Sequence, residues 1–308
     1  MFPGMMLRFR CLLALGVALL WLAPCAFAHP GAGIVVDPQG NVYFTHTGRG
    51  IGRIDPHGKL TYIYESGGGH WMCLDAAGSF AQTQPKFFKR ITLPGIRPVL
   101  IFADGGSPVA VAEDGALYYV SNDERMTPGG MHLSRLSTSG EASRVAPELD
   151  KITEELGITG LANGPGGTVY VACPNAVFKV KTNGTLSTVV NPIEPQDCDV
   201  DYPDHNPNMK LPSLRGLAVD ESGTVYAAGT GCHTVLKISP NGAIETILKV
   251  VRPWSPTGVA VHRGEVYVLE YTNANGGRDE TWAWRVRKIG RDGNVMTLAT
   301  PESKPQKP

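Results

Sequence analysis

The chain repeats itself, and the repeat fixes most of what it can become. A short apolar run leads to a glycine turn and a second run built around a Val-Tyr or Leu-Tyr pair. A third run alternates basic with apolar residues, and a second glycine turn leads to a closing run. Clear copies begin at Gly33, Val109, Gly160, Gly216 and Gly258, and a degenerate one at Trp71. The first turns carry Gly40, Gly78, Gly115, Gly167, Gly223 and Gly264; the second carry Gly58, Gly95, Gly140, Gly184, Gly242 and Gly293. Several are Asn-Gly or Asp-Gly, the strongest short hairpin signal. A unit of about 40 residues with four such runs cannot bury its own faces, so neighbours must stack. The first run of each unit is apolar on both faces, which suits an innermost strand between two neighbours.

These observations predict an all-β chain: a six-bladed β-propeller of four-stranded antiparallel blades. Only residues 147–156 read as helical, in a connection between blades. The first copy starts on an innermost strand and the last ends on an outermost one. Ring closure is therefore expected from packing of the sixth blade on the first, without strand exchange.

Residues 1–28 read as a secretory signal. Arg8 and Arg10 form a basic start, Leu12 to Leu22 an apolar run, and Ala26-Phe27-Ala28 a cleavage site. The apolar run is short for a bilayer span, and Pro24 before Cys25 departs from a lipid-attachment pattern. The expected organisation is a signal peptide at 1–28, a propeller domain at 29–300 and a disordered tail at 301–308, with no membrane span after cleavage. The expected location is secreted or periplasmic, where disulfides persist. Acidic and basic residues balance at 28 each, so no nucleic-acid partner is expected, and a monomer is.

The segments VDPQGNVYFTHTGRGIGRIDPHGKL and VDESGTVYAAGTGCHTVLKISPNG resemble NHL-repeat propellers, over nearly the whole mature chain. That resemblance implies the fold and a platform that in other members binds, catalyses or scaffolds. The chain is more distantly similar to the gluconolactonase and senescence-marker-protein family. That likeness implies a divalent metal at the channel top, held by a Glu in an early Glu-Gly-Pro stretch, by Asn in Asn-Gly-Leu stretches, and by an Asp ending a second strand. Here those places read Gly31-Ala32-Gly33, Thr159-Gly160-Leu161, Arg215-Gly216-Leu217, and Cys173 and Gly229. The family's ligand set is largely replaced. Peptide-amidating lyases share the fold, but their zinc-binding histidines have no residue-by-residue match here.

The insertions, at 123–131, 192–212 and 272–281, all fall in connections that emerge on one face of such a ring. Elaborated loops on a rigid scaffold mark a working surface. Aligned copies place His46, Asn122 and Glu270 at second-strand ends, and His70 and Arg215 just before first strands. His46, His70, Asn122, Arg215 and Glu270 are thus a candidate polar pocket at the channel mouth. His46, His70 and Glu270, from neighbouring blades, are candidate ligands for a divalent metal, Zn or Ca. Arg215 suits a carboxylate or phosphate. Among the mature cysteines, Cys198–Cys232 is the favoured disulfide because it would pin the 192–212 loop, with Cys173–Cys198 the alternative. Asp197, Asp199 and Asp201 have calcium-loop spacing, but Tyr202 stands where such a loop needs Gly. Three readings follow. The first is an exported propeller binding a small molecule, glycan or peptide. The others are a metal-dependent hydrolase or lyase in the same pocket and a protein-interaction scaffold.

Overall fold

A computed structural model describes residues 31–65, 69–75, 88–92, 99–104, 107–122, 131–194, 198, 212–272 and 283–301. Five four-stranded antiparallel sheets form blades, each running in chain order from an inner to an outer strand. Their inner strands are Ile34–Val36, Val109–Val111, Gly160–Asn163, Leu214–Val219 and Trp254–His262. We number these blades 1, 3, 4, 5 and 6. The described turn glycines adopt the left-handed backbone the hairpins require, such as Gly58 at φ 84° and Gly242 at φ 86°. Pro147–Leu149 and Asp150–Leu156 are helical, as expected for this connection.

The expectation of six four-stranded blades is corrected to five. Residues 69–104 form a three-stranded sheet in which Gly69–Asp75 pairs with Val99–Asp104, which pairs with Phe88–Thr92. Val99–Asp104 takes the place beside the inner strand, and the sequence after Gly78 lacks the Val-Tyr pair of the other copies. Gly69–Asp75 nonetheless sits between the inner strands of blades 1 and 3. The six inner strands therefore complete a ring.

Side chains of a strand point to the two sheet faces. In this architecture the faces are the seams between blades, and each seam has its own core. Phe44 and Ile34 of blade 1 meet Tyr271 and Trp284 of blade 6. Val235 and Ala228 of blade 5 meet Val268 and Val259 of blade 6. Phe178 and Val171 of blade 4 meet Tyr118 and Leu133 of blade 3. The first and sixth blades share no strand, as expected, and close by packing and hydrogen bonds. The Thr257 hydroxyl donates to the Gly31 carbonyl at 2.7 Å and the Tyr271 hydroxyl to the Thr45 carbonyl at 2.7 Å. A Cβ at Gly258 would collide with the Ala32 carbonyl, so glycine permits this approach of two inner strands.

The face opposite the insertions explains the rest of the repeat. The Tyr43 hydroxyl donates to Asp37 at 2.9 Å, Tyr226 to Asp220 at 3.3 Å, and Tyr267 to Glu265 at 3.0 Å. The same carboxylates accept turn amides or basic side chains: Asn41 N–H to Asp37 at 2.8 Å, and Lys288 Nζ to Glu265 at 2.8 Å. The Lys288 bond holds the Glu265 carboxyl below its ordinary pKa. In blades 1, 5 and 6 an acidic residue and the repeat's Tyr are thus paired, and in blade 6 Lys288 of the third strand joins the pair on the second.

Candidate functional site

Blades 5, 6 and 1 carry a group of buried and half-buried polar side chains on the insertion-bearing face, while His132 and Arg144 of blade 3 meet Asp150 of the following helix. Glu270 lies on the second strand of blade 6, directly opposite Arg285 on the third. Arg285, Arg287 and Glu270 share one sheet face, turned toward blade 5. Arg285 Nε donates to one carboxylate oxygen at 2.6 Å and Arg287 Nε to the other at 2.6 Å. Glu270 is fully buried, while Arg285 and Arg287 retain 21% and 15% side-chain exposure. Among the described residues, two guanidinium groups meet one carboxylate, so the cluster carries one positive charge in excess, and both arginines keep some exposure.

Aromatic and imidazole groups surround that charge. The Arg285 guanidinium lies 4.1 Å from the Trp254 ring centroid, a cation–π contact that holds it flat. His233 has a left-handed backbone, φ 55°. Its Nδ1 is 2.8 Å from the Trp254 carbonyl and 3.0 Å from the Ser255 hydroxyl. These contacts tie the blade 5 turn to the start of blade 6 and fix the platform under the arginines.

A second group sits across blade 6, in the seam with blade 1. His46 Nδ1 and the Tyr62 hydroxyl are 2.9 Å apart, and the His46 ring lies 5.6 Å from that of Trp284. Arg49 stacks over the Tyr62 ring at 3.7 Å. Burial, assisted by the Arg49 charge, holds the His46 pKa below its ordinary value, so the ring is neutral at pH 7.

Of the sequence-predicted pocket residues, His46 and Glu270 face different seams. His46 faces the blade 6–1 seam and Glu270 the blade 5–6 seam, so the sheet of blade 6 stands between them. The reason is geometric. A second strand lies one strand away from the channel, and its side chains point into seams rather than along the sheet toward the axis. His70 is half-buried on the inner strand Gly69–Asp75, and its carbonyl accepts the Ala32 and Gly33 amides at 2.9 Å each. Arg215 is half-buried on the inner strand of blade 5. Asn122 ends the strand Leu117–Asn122, and its side chain lies outside the described residues.

The donor set does not fit a metal at His46, His70 and Glu270. Glu270 is committed to two arginines, and no group of three His, Cys, Asp or Glu able to hold an ion occurs among the described residues. The calcium-like residues Asp197, Asp199 and Asp201 lie outside the described residues. Cys198 and Cys232 form the disulfide, with Cα atoms 4.5 Å apart. Cys173 is a buried free thiol, and desolvation raises its pKa to about 12.

Sequence reasoning missed Arg285, Arg287 and Trp254. The signal for the arginines was present: Trp284-Arg285-Val286-Arg287 puts two cations on one face of a strand whose hairpin partner carries Glu270.

No protein-family model matches the chain, and no curated protein matches it. The NHL resemblance therefore stands on the repeat residues alone. Among solved structures the chain is similar to a luciferin-regenerating enzyme, at 15% identity, covering 84% of this chain and 92% of that one, with a TM-score of 0.51. It is also similar to a streptogramin B lyase, at 13% identity over 88% of this chain and 84% of that one, TM-score 0.49. A third is virginiamycin B lyase from Staphylococcus aureus, at 13% identity over 90% and 86%, TM-score 0.39. At such identities the likeness is one of fold, the β-propeller.

Proposed function

We propose that the chain is an exported propeller that binds a small anionic molecule, an acidic glycan or a peptide carboxylate on the insertion-bearing face at blades 5 and 6. The observation that carries this reading is the excess guanidinium charge of Arg285 and Arg287 over Glu270 among the described residues, held flat beside Trp254 at a mostly buried position that keeps a path to solvent. A guanidinium already oriented by a carboxylate and a ring loses little freedom when it pairs with an anion. The Cys198–Cys232 disulfide supports an oxidising compartment. Among the described residues no helix is long and apolar enough to cross a membrane. The 1–28 leader remains a proposal, tested by whether the mature chain begins at His29.

The binding test is a thermal-shift and calorimetric titration with citrate, glucuronate, phosphate and N-acetyl-alanine, with glucose as the neutral control. The reading expects at least one anion to bind well above glucose, and Arg285→Ala to weaken it by about tenfold or more. Anions that bind no better than glucose, or equally to Arg285→Ala, overturn it.

A further inference from the structure

A second cavity lies away from that face's charged cluster, in the outer part of the seam between blades 4 and 5. Its volume is about 350 Å³, within the lower range of small-molecule pockets. Val190 and Ile193 form its blade 4 wall and Leu236 and Ile244 its blade 5 wall, and the Cys198–Cys232 disulfide borders it. Glu194 is the one ionisable side chain among the residues that line it, and no described residue supplies it with a cation.

The cavity is built, not merely left between diverging sheets. The Ile193 amide donates to the Asn175 carbonyl at 2.7 Å and the Leu214 amide to Pro174 at 2.9 Å, fixing both ends of the inserted connection to blade 4. The Gly231 amide donates to Pro212 at 3.0 Å, fixing it to blade 5. The disulfide then ties Cys198 to the same turn of blade 5, across a sequence separation of 34. Ile193 is buried in the seam core with Leu214 and Leu236, so the inner wall is rigid.

The geometry points to a binding site for a compact apolar amine. The lining is mixed: the aliphatic groups of Val190, Ile193, Leu236 and Ile244 favour an apolar body, Thr234 and Thr246 offer hydroxyls, and the Glu194 carboxylate at the edge favours a protonated amine over a neutral or anionic head group. The disulfide acts as a fixed wall, so the site depends on the oxidised state of the chain. The site is separate from the one proposed at Arg285 and does not rest on that reading.

Three near-isosteres separate these contributions: 2-phenylethylamine, 2-phenylethanol and phenylacetate, titrated against the oxidised full chain by backbone NMR. The amine is expected to shift amides at 190–194, 232–236 and 244–246, with the alcohol about tenfold weaker and the acid weaker again. Glu194→Gln should bring amine and alcohol to equal affinity while leaving the alcohol unchanged. Ile244→Trp and Thr246→Trp, both at exposed positions and so tolerated by the fold, should each abolish binding of all three probes. Cys198→Ser/Cys232→Ser should weaken the amine about tenfold, and Arg285→Ala should leave it unchanged. An unchanged amine preference in Glu194→Gln, binding that survives both Trp variants, or shifts that map elsewhere would each overturn the assignment.

Discussion

The seam that closes the ring and the two seams around residues 69–104 solve the same problem with different means. Blades 6 and 1 meet through large rings, with Phe44 and Trp284 centroids 4.6 Å apart, and through hydroxyls reaching across to backbone carbonyls. Among the described residues, the sheet at 69–104 meets blade 1 through Met72 against Tyr43 and Ile51, and blade 3 through Cys73 against Val109 and Leu117 with Trp71 and Tyr119 beside them. One seam joins two complete blades that are far apart in sequence; the others accommodate a segment that has lost the repeat's strand order. The ring tolerates that loss because closure needs six inner strands, not six identical sheets.

The largest expected difference is in packing. Trp284→Ala empties a fully buried ring from the closing seam and should cost about 3–5 kcal/mol. Met72→Ala in the seam on the 69–104 side should cost about 2 kcal/mol, at the low end for such a truncation. Chemical denaturation of both variants measures the gap, and equal losses would erase the distinction between the seams.

Next comes Glu270→Gln. It leaves Arg285 and Arg287 without their shared carboxylate in a mostly buried seam, and a loss of about 3 kcal/mol is expected. Because both arginines keep a path to water, a loss well below that would show that solvent takes over the role of Glu270. Gly258→Ala should cost about 1–3 kcal/mol, because its Cβ has no room against the Ala32 carbonyl. The contrast is Gly58→Ala, where nothing crowds the new Cβ and the cost is that of a left-handed backbone alone, about 1 kcal/mol.

The smallest effect is on pH. The folded chain holds the His46 pKa below its ordinary 6.5, so the folded state binds this proton less readily than the unfolded state. The neutral ring's contribution is present in full above pH 6.5 and is lost as pH falls below it toward the folded value. Melting temperature should therefore fall more steeply below pH 6.5 in the parent chain than in His46→Gln. Parallel curves would show that His46 is not held neutral.

The sequence made the repeat legible because hairpin glycines and apolar inner strands are local signals. Gly58, Gly140, Gly184, Gly242 and Gly293 all adopt the backbone their turns demand. Cys198–Cys232 was legible for a similar reason: both cysteines fall in connections on one face of neighbouring blades. The pocket was not. Aligned repeats tell which residues share a height in the ring, and His46 and Glu270 do share one. They do not bring side chains together when each points into its own seam. The strand order at 69–104 was hidden because alignment by turn glycines assumes that chain order is sheet order.

The anion site proposed at the guanidinium excess of blades 5 and 6 lies away from residues 69–104. Native-state hydrogen exchange with and without saturating citrate tests it most directly. The account predicts slower exchange for amides at 254–256, 268–271 and 284–287, with 69–75 and 99–104 unchanged. Slowing confined to 69–104, or none at 284–287, would contradict it.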